Sequence, residues 1–271
     1  MSLNNNGRNL ALVTGASSGL GAAFAERLAK DGYDLIIAAR RRERLEVLAQ
    51  QLQASHHVKI EVLVADLSKP DDLHRVEKHI EDSALELLVN NAGFGGYKPF
   101  IELDPDQAEE LVNLKVLAIT RLTRAALPNM VERGRGSIIN VSSRLAFSGS
   151  MGSSQLPKRA TYVGANAFIN AFSQLVQSEL EGTGVQVQAL CPGVVRTEFH
   201  ERVGADPNRF PPEIVMSPED VVSSSLAALK SGEVICIPAL EDPNLLKQVQ
   251  DGERRLFEQT RSGTLAKRYE I

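Results

Sequence analysis

The stretch Leu10-Ala-Leu-Val-Thr-Gly-Ala-Ser-Ser-Gly-Leu-Gly21 constrains this chain more than any other. The apolar run from Leu10 to Val13 reads as a buried strand, and Ala22-Ala-Phe-Ala-Glu-Arg-Leu28 starts a helix. Between them lies a turn carrying Gly15, Gly19 and Gly21. Glycine lets a backbone approach a ligand closely, and a helix N-terminus offers free N–H groups at the positive end of its dipole. Strand, glycine turn and helix in this order suit a dinucleotide pyrophosphate. The spacing is G-x-x-x-G-x-G rather than G-x-G-x-x-G, and a tight strand-to-helix turn uses glycine even without a ligand. The rest of the chain has to decide.

Strand-length apolar runs recur at Tyr33 to Ala39, Val58 to Val64, Leu85 to Val89, Ser137 to Val141, Val185 to Leu190 and Val234 to Ile237. Helical spacing separates them, over 43–54, after Pro70, over roughly 105 to 133, from Thr161 to Leu180, and from Ser217 to about Lys230. This alternation predicts an α/β fold: a single doubly wound, Rossmann-type domain with a parallel sheet of about seven strands. The expected organisation is a flexible N-terminus over 1–8, a domain over 9–240 that includes a loop at 194–216, and a C-terminal helical extension over 241–271. In that extension Leu245, Leu246, Val249 and Leu256 suggest a partly amphipathic helix, packed on the body or on a neighbouring subunit.

With 271 residues, 43% of them hydrophobic, the chain can bury a substantial core. A net charge of −4 points away from nucleic acid and anionic membranes as partners. No apolar run approaches the roughly 20 residues that span a bilayer. Met1 to Gly7 lacks the charged and apolar parts of an export signal, so a cytoplasmic location is expected. Cys191 and Cys236 are too few for a disulfide framework or a metal cluster and read as small core residues; no metal is expected.

In open α/β sheets, ligands bind outside the carboxyl ends of the strands. Here the strand exits are Thr14-Gly15, Arg40, Asp66, Asn90 to Gly93, Ser142-Ser143 and Cys191-Pro-Gly193. Any one of them is explained as a turn. Six polar or glycine-bearing exits on one sheet edge point to a binding site.

These residues make the chain resemble the short-chain dehydrogenase/reductase family. Thr14 to Gly21 matches its T-G-x-x-x-G-x-G turn, and Asn90-Asn-Ala-Gly93 its N-N-A-G motif. Asn113 stands where the family places an asparagine in the next helix, and Ile138-Ile-Asn-Val-Ser-Ser143 is similar to its serine-bearing strand end. Cys191-Pro-Gly-Val-Val-Arg-Thr197 resembles its P-G-x-x-x-T, so the likeness covers about residues 9 to 240. The resemblance implies a nicotinamide cofactor held by Thr14, Gly15, Ser17, Ser18, Gly19, Leu20 and Gly21. Asp66 at the adenine, Leu67, then Asn90, Asn91, Ala92 and Gly93 would continue the site, with Pro192, Gly193 and, at the carboxamide, Thr197. An NAD enzyme commonly ends the second strand in an acid, where this chain has Ala39 followed by Arg40 and Arg41. Guanidinium groups bond a phosphate bidentately, so Arg40 and Arg41 predict NADP(H) over NAD(H). The alternative is that the arginines between 40 and 44 form only a solvated helix face.

The family carries its chemistry on a serine, a tyrosine and a lysine, the last two usually as Y-x-x-x-K. This chain has Tyr162-Val-Gly-Ala-Asn166, with asparagine at the lysine position and Ala167-Phe168 continuing the family pattern. The gap from Ser143 to Tyr162 is longer than the family's, which implies an extended loop over 144–160. Tyr162 and Asn166 share one helix face. A free tyrosine has a pKa of about 10, and a neighbouring cation lowers it. Asparagine supplies no such charge. Alcohol oxidation needs tyrosinate and suffers most, whereas carbonyl reduction uses the neutral phenol as acid.

The expected function is therefore an NADPH-dependent oxidoreductase that reduces the carbonyl of a small hydrophobic substrate. Ser143 and Tyr162 would hold the carbonyl and Tyr162 would deliver the proton, with Ser142 as the neighbouring alternative to Ser143. Asn113 would support the proton path, and Asn166 would hydrogen-bond a ribose hydroxyl. Lys158 is expected on the surface and Lys115 on a different helix face from Asn113. The alternative function is a catalytically impaired nucleotide-binding protein, a sensor or assembly partner. Phe94, Tyr97, Leu145, Phe147, Met151, Phe199, Phe210, Ile214 and Val215 favour a hydrophobic carbonyl or alcohol over a charged one. Phe168, Phe172 and Val176, with the helical region near 105–133, suggest a homodimer or homotetramer, against the alternative of helices buried within one chain.

Overall fold

The computed structural model describes residues 7–95, 98–151, 159–199 and 210–269. Tyr97, Lys158 and the centre of the 194–216 loop, including Pro207, lie outside the described residues.

Strands and helices alternate as β1 (Leu10–Thr14), α1 (Gly19–Lys30), β2 (Asp34–Ala39), α2 (Arg42–His56), β3 (Ile60–Val64), α3 (Pro70–Glu81) and β4 (Leu85–Asn90). Next come α4 (Pro105–Val112), α5 (Ile119–Arg133), β5 (Gly136–Val141), α6 (Ala160–Glu179) and β6 (Val185–Leu190). The series ends with β7 (Val194–Val195), β8 (Val215–Met216), α7 (Pro218–Lys230), β9 (Ile235–Cys236) and α8 (Asn244–Gln259). Seven strands form one parallel sheet in the order β3-β2-β1-β4-β5-β6-β9. The expected Rossmann-type architecture is present.

The strands read as continuous apolar runs because both sheet faces are covered. On β1, Ala11 and Val13 join the layer of Phe24 and Leu28 from α1, Leu45 from α2 and Val221 from α7. Leu10 and Leu12 join the opposite layer, with Val76 from α3 and Leu122 and Met130 from α5. Each fully buried side chain of this size contributes about 1.5–3 kcal/mol relative to exposure. β1 has β2 on one side and β4 on the other, so the winding direction reverses between β1 and β4. That reversal opens a crevice at the carboxyl ends of the strands.

The fold departs from the sequence reading in three places. The helical stretch over 105–133 is two α-helices joined by a π-helical segment, Asn113–Ala118. Apolar spacing continues across the segment, so periodicity does not reveal it. The 194–216 loop is tied at its base, where Val194 and Val195 pair in parallel with Val215 and Met216. Two-residue strands carry no periodic signal. For the same reason the last sheet strand is shorter than expected, only Ile235–Cys236 against β6.

Residues to Pro238 form one compact unit, and Ala239–Ile271 a second. The second contains α8, on which Leu245, Val249 and Leu256 share a face. Among the described residues no helix is long and apolar enough to cross a membrane.

Phe24 is fully buried between α1 and the sheet. Phe24→Ala is expected to lower the free energy of unfolding by about 3–5 kcal/mol, read from the urea midpoint.

Candidate active site

A cavity of about 850 Å³ opens along the carboxyl edge of the sheet. Its lining follows the strand order. β3 delivers Asp66 and Leu67, and β2 delivers Arg40 and Arg41. The turn after β1 delivers Gly15, Ser17, Ser18, Gly19 and Leu20; the exit of β4 gives Asn91, Ala92 and Gly93. Ser142 and Ser143 follow β5, and Pro192, Gly193 and Thr197 follow β6. Tyr162 enters from α6. Residues from six strand exits thus meet in one space, whose volume lies toward the top of the range of about 300–1,000 Å³ typical of ligand pockets.

The glycine turn is shaped by close approach. Gly19 has φ +57° and a Cβ there would lie 3.1 Å from Thr197 Cβ. At Gly21 a Cβ would run into the Gly15 carbonyl oxygen, so this glycine packs the turn and does not line the cavity. α1 begins at Ser18 with no side-chain cap and no acidic residue in its first turn. Its leading N–H groups therefore keep their capacity for an anion.

Arg41 lies along this turn. Its Nη2 donates to Ser18 Oγ at 2.8 Å and to Ser17 Oγ at 2.9 Å. The Glu198 carboxylate accepts from Arg44 at 2.6 Å and from Arg41 at 3.2 Å. Arg44, and to a lesser degree Arg41, hold that carboxyl below the usual range, against an opposing effect of partial burial. Arg40 is engaged by acids instead, with Glu110 at 3.0 Å and Asp66 at 3.8 Å.

Thr14 and Asn90, expected as cofactor contacts, brace the site from behind. Thr14 Oγ1 accepts from the backbone N–H of Asn91 at 2.9 Å and of Ala92 at 3.0 Å. Asn90 is buried, and its Nδ2 donates to Asn140 Oδ1 at 2.9 Å, across the β4–β5 pair. Neither lines the cavity. At these two strand ends the side chain is taken up by hydrogen bonds beneath the cavity, and the residues that follow, Gly15 and Asn91, reach it.

The catalytic candidates divide in the same way. Ser143 and Tyr162 line the cavity together. Ser142 Oγ donates to the Asn166 backbone carbonyl at 3.0 Å, which ties it to α6. Asn166 is fully buried and does not line the cavity: its Nδ2 donates to the Tyr162 carbonyl at 2.7 Å, one helical turn back. Asn113, the first residue of the π segment, also stays outside the lining.

Lys115 lines it where Asn113 does not, so it is the lysine and not the asparagine of this segment that meets the cavity. A π turn changes the angular advance of a helix, so a wheel drawn at about 100° per residue does not give the phase of this segment. Lys115 is 3% exposed, and its Nζ donates to the Val141 carbonyl at 2.9 Å. Burial pulls its pKa from 10.5 down to about 8. Nearby Cys191 is pushed up to about 12 by burial and so remains a neutral thiol. Arg144 and Arg159 also line the cavity, and neither belongs to a motif that would have marked it.

Of the apolar residues expected at the substrate end, Phe94, Leu145, Phe199 and Phe210 line the cavity. Phe147, Met151, Ile214 and Val215 do not. The Phe199 ring lies 6.2 Å from that of Tyr162, tilted by 55°. On another side, Tyr162 borders a small crevice with Phe94, Phe100, Leu103 and Leu111. Among the described residues no group of three or more His, Cys, Asp or Glu side chains could hold a metal.

Residues 9–208 match a family model described as short chain dehydrogenase. Over 230 residues the chain is 32% identical to the 17-beta-hydroxysteroid dehydrogenase type 3 of Danio rerio, covering 82% of this chain and 70% of that protein. Over 192 residues it is 33% identical to the inactive hydroxysteroid dehydrogenase-like protein 1 of Homo sapiens, covering 70% of this chain but 56% of that one. The structure of a short-chain dehydrogenase from Sphingobium yanoikuyae in complex with NADPH matches with a TM-score of 0.90 at 35% identity, over 96% of this chain and 99% of that one.

The Lys115 shift makes stability pH-dependent. The unfolded chain holds this proton to about pH 10.5 and the folded chain releases it near pH 8, so the native protein gains stability relative to Lys115→Met as pH rises between these values. Denaturant melts of the two proteins at pH 7 and pH 10.5 should differ by a relative change of roughly 3 kcal/mol.

Proposed function

Because the chain belongs to the short-chain dehydrogenase family, we propose that it is an NADPH-dependent oxidoreductase reducing the carbonyl group of a small hydrophobic substrate. The observation that carries this reading is the meeting of Ser143 and Tyr162 with Phe94, Leu145, Phe199 and Phe210 in the cavity that also contains the glycine turn.

The residues present fit a dinucleotide. The uncapped start of α1 and the Cβ-free turn suit a pyrophosphate, and Asp66 suits an adenosine end. Arg41, which lies on Ser17 and Ser18 of the glycine turn and shares Glu198 with Arg44, is the cation we favour for a 2′-phosphate over Arg40, which is divided between the two acids Glu110 and Asp66. Asn91, Ala92, Gly93, Pro192, Gly193 and Thr197 would line the nicotinamide end. A bound reduced nicotinamide supplies the hydride.

The chain's own groups supply the rest. The Ser143 and Tyr162 hydroxyls hold the carbonyl oxygen, and the Tyr162 O–H gives its proton to that oxygen as negative charge develops there. Ser143 is favoured over Ser142 because the Ser142 hydroxyl is committed to α6. The apolar lining supports a hydrophobic carbonyl, as does the hydroxysteroid named for the zebrafish relative. Self-association in the cytoplasm belongs to the same proposal, supported by exposed Leu117 on the π segment and exposed Leu175 on α6.

A second reading, a binding protein without efficient turnover, is favoured by Asn166 at the position read as the family's lysine and by the human relative named inactive.

Two measurements test the proposal. Tyr162→Phe should bind NADPH as the native protein does and lose turnover over a panel of hydrophobic ketones; turnover unchanged in this variant rejects the assignment. A native protein that binds NADPH but consumes none of it across the panel supports the second reading. Arg41→Ala should weaken NADPH binding by about ten- to a hundredfold while leaving NADH binding little changed, as expected for losing charge-assisted bonds worth about 1.5–3 kcal/mol.

A further inference from the structure

We propose that Lys115, entering the cavity from the π segment between α4 and α5, supplies the positive charge beside Tyr162 that Asn166 on α6 does not. The inference rests on the reading of Tyr162 as the proton donor.

The first support is position. Lys115 and Tyr162 line the same cavity, whereas Asn166 is turned away into the frame of α6. The π segment and α6 meet at consecutive residues of the β5 exit: the Val141 carbonyl accepts from Lys115 Nζ, and the Ser142 hydroxyl donates to the Asn166 carbonyl. The second support is the path of the side chain. A Cβ at Gly93 would lie 2.7 Å from Lys115 Cε and 3.3 Å from Nζ. The lysine runs directly over the N-N-A-G turn, and a side chain at Gly93 would press on its far end and require it to shift.

The third support is cost. A buried ammonium with no carboxylate partner is expensive, and a methionine of similar shape would fill the space without that penalty. Among the described residues the Val141 carbonyl is the one hydrogen-bond acceptor of Lys115, and no ion pair involves it. An ammonium has three donors, so two remain for a ligand hydroxyl or water in the cavity. Such a perturbed group in a cleft is better explained by function than by stability.

The other charged groups around the cavity are otherwise engaged or differ in their titration. Arg40 and Asp66 face each other, and Arg41 lies on the glycine turn. Cys191, behind Lys115, is neutral at ordinary pH. Arg144 and Arg159 line the cavity too, but guanidinium does not titrate in the accessible range. A charge that disappears near pH 8 therefore identifies Lys115.

When Tyr162 has given its proton to the carbonyl oxygen, its O–H bond is broken and a phenolate remains. The Lys115 ammonium offsets that charge until a solvent proton restores the phenol. Lys115 is thus a positioning cation acting through Tyr162.

The test uses the cofactor-free full chain and does not depend on turnover. Tyrosinate absorbance is followed against pH for the native protein, Lys115→Met, Lys115→Gln and the double variant Lys115→Met/Asn166→Lys, each with its Tyr162→Phe counterpart subtracted. Circular dichroism and the urea midpoint check the fold, and Lys115→Gln serves if Lys115→Met does not fold. Tyr162 and Lys115 should titrate as a coupled pair, with a tyrosinate step at lower pH in the native protein than in the variants that lack the lysine charge. That step should move to higher pH in both single variants and return in the double variant. In the reductase assay, kcat at pH 7 should fall at least about tenfold in Lys115→Met, and the native decline above pH 8 should be lost with it.

Identical tyrosinate curves for native and Lys115 variants overturn the proposal, and robust native turnover beside them leaves the reductase reading standing. A step that depends on Lys115 in a protein without turnover supports the pairing and counts against the reductase.

Discussion

The geometry of the site depends on the Thr14 hydroxyl. β1 and β4 are neighbours at the point where the winding of the sheet reverses, and beyond their last residues the ladder of hydrogen bonds stops. Thr14 Oγ1 accepts two backbone N–H groups there, from Asn91 and Ala92, and donates to the Val89 carbonyl at 3.3 Å. Leaving a buried N–H unpaired costs about 1–3 kcal/mol, so this hydroxyl keeps the two strand exits together as they diverge. Gly15 comes immediately after it on one side, and Gly93 lies just beyond on the other. The glycine turn and the cavity wall beyond β4 are both tied to this one side chain.

The charge of the whole chain says little about the field in the cavity. The sequence is acidic, at −4, yet the lining holds Arg40, Arg41, Lys115, Arg144 and Arg159 against Asp66. Carboxylates such as Glu110 and Glu198 temper this excess at one end, the first on Arg40 and the second on Arg41 and Arg44. Lys115 is not tempered by any carboxylate among the described residues, and its burial costs the fold stability. Low-dielectric walls make such charges count for more than their number suggests.

Recognition by motif and placement by structure agreed for the residues that follow a strand, and within the strands and helices they agreed for some, such as Tyr162, and parted for others. Ser17, Ser18, Arg41, Asn91, Gly93, Ser143 and Thr197 all reach the cavity, because a chain leaving the sheet edge has nowhere else to go. Thr14, Gly21, Asn90, Asn113 and Asn166 carry motif letters yet stay out of the lining. Their side chains belong to regular elements, where direction is set by pleat, helix phase and the neighbouring layer.

By itself, the sequence determined the two-sided sheet, the glycine turn and the list of strand exits. Apolar runs, glycine and proline act locally, and their consequences hold in almost any packing. Tertiary structure alone decided which polar groups face the ligand and which brace the frame. The π segment turned Lys115 inward, and an intrahelical hydrogen bond turned Asn166 away. Lys115 is held by a contact between residues far apart in the chain, with the Val141 carbonyl, which no local pattern encodes; the Asn166 bond is local, but asparagine fits it and an outward rotamer equally well until the packing around α6 is set.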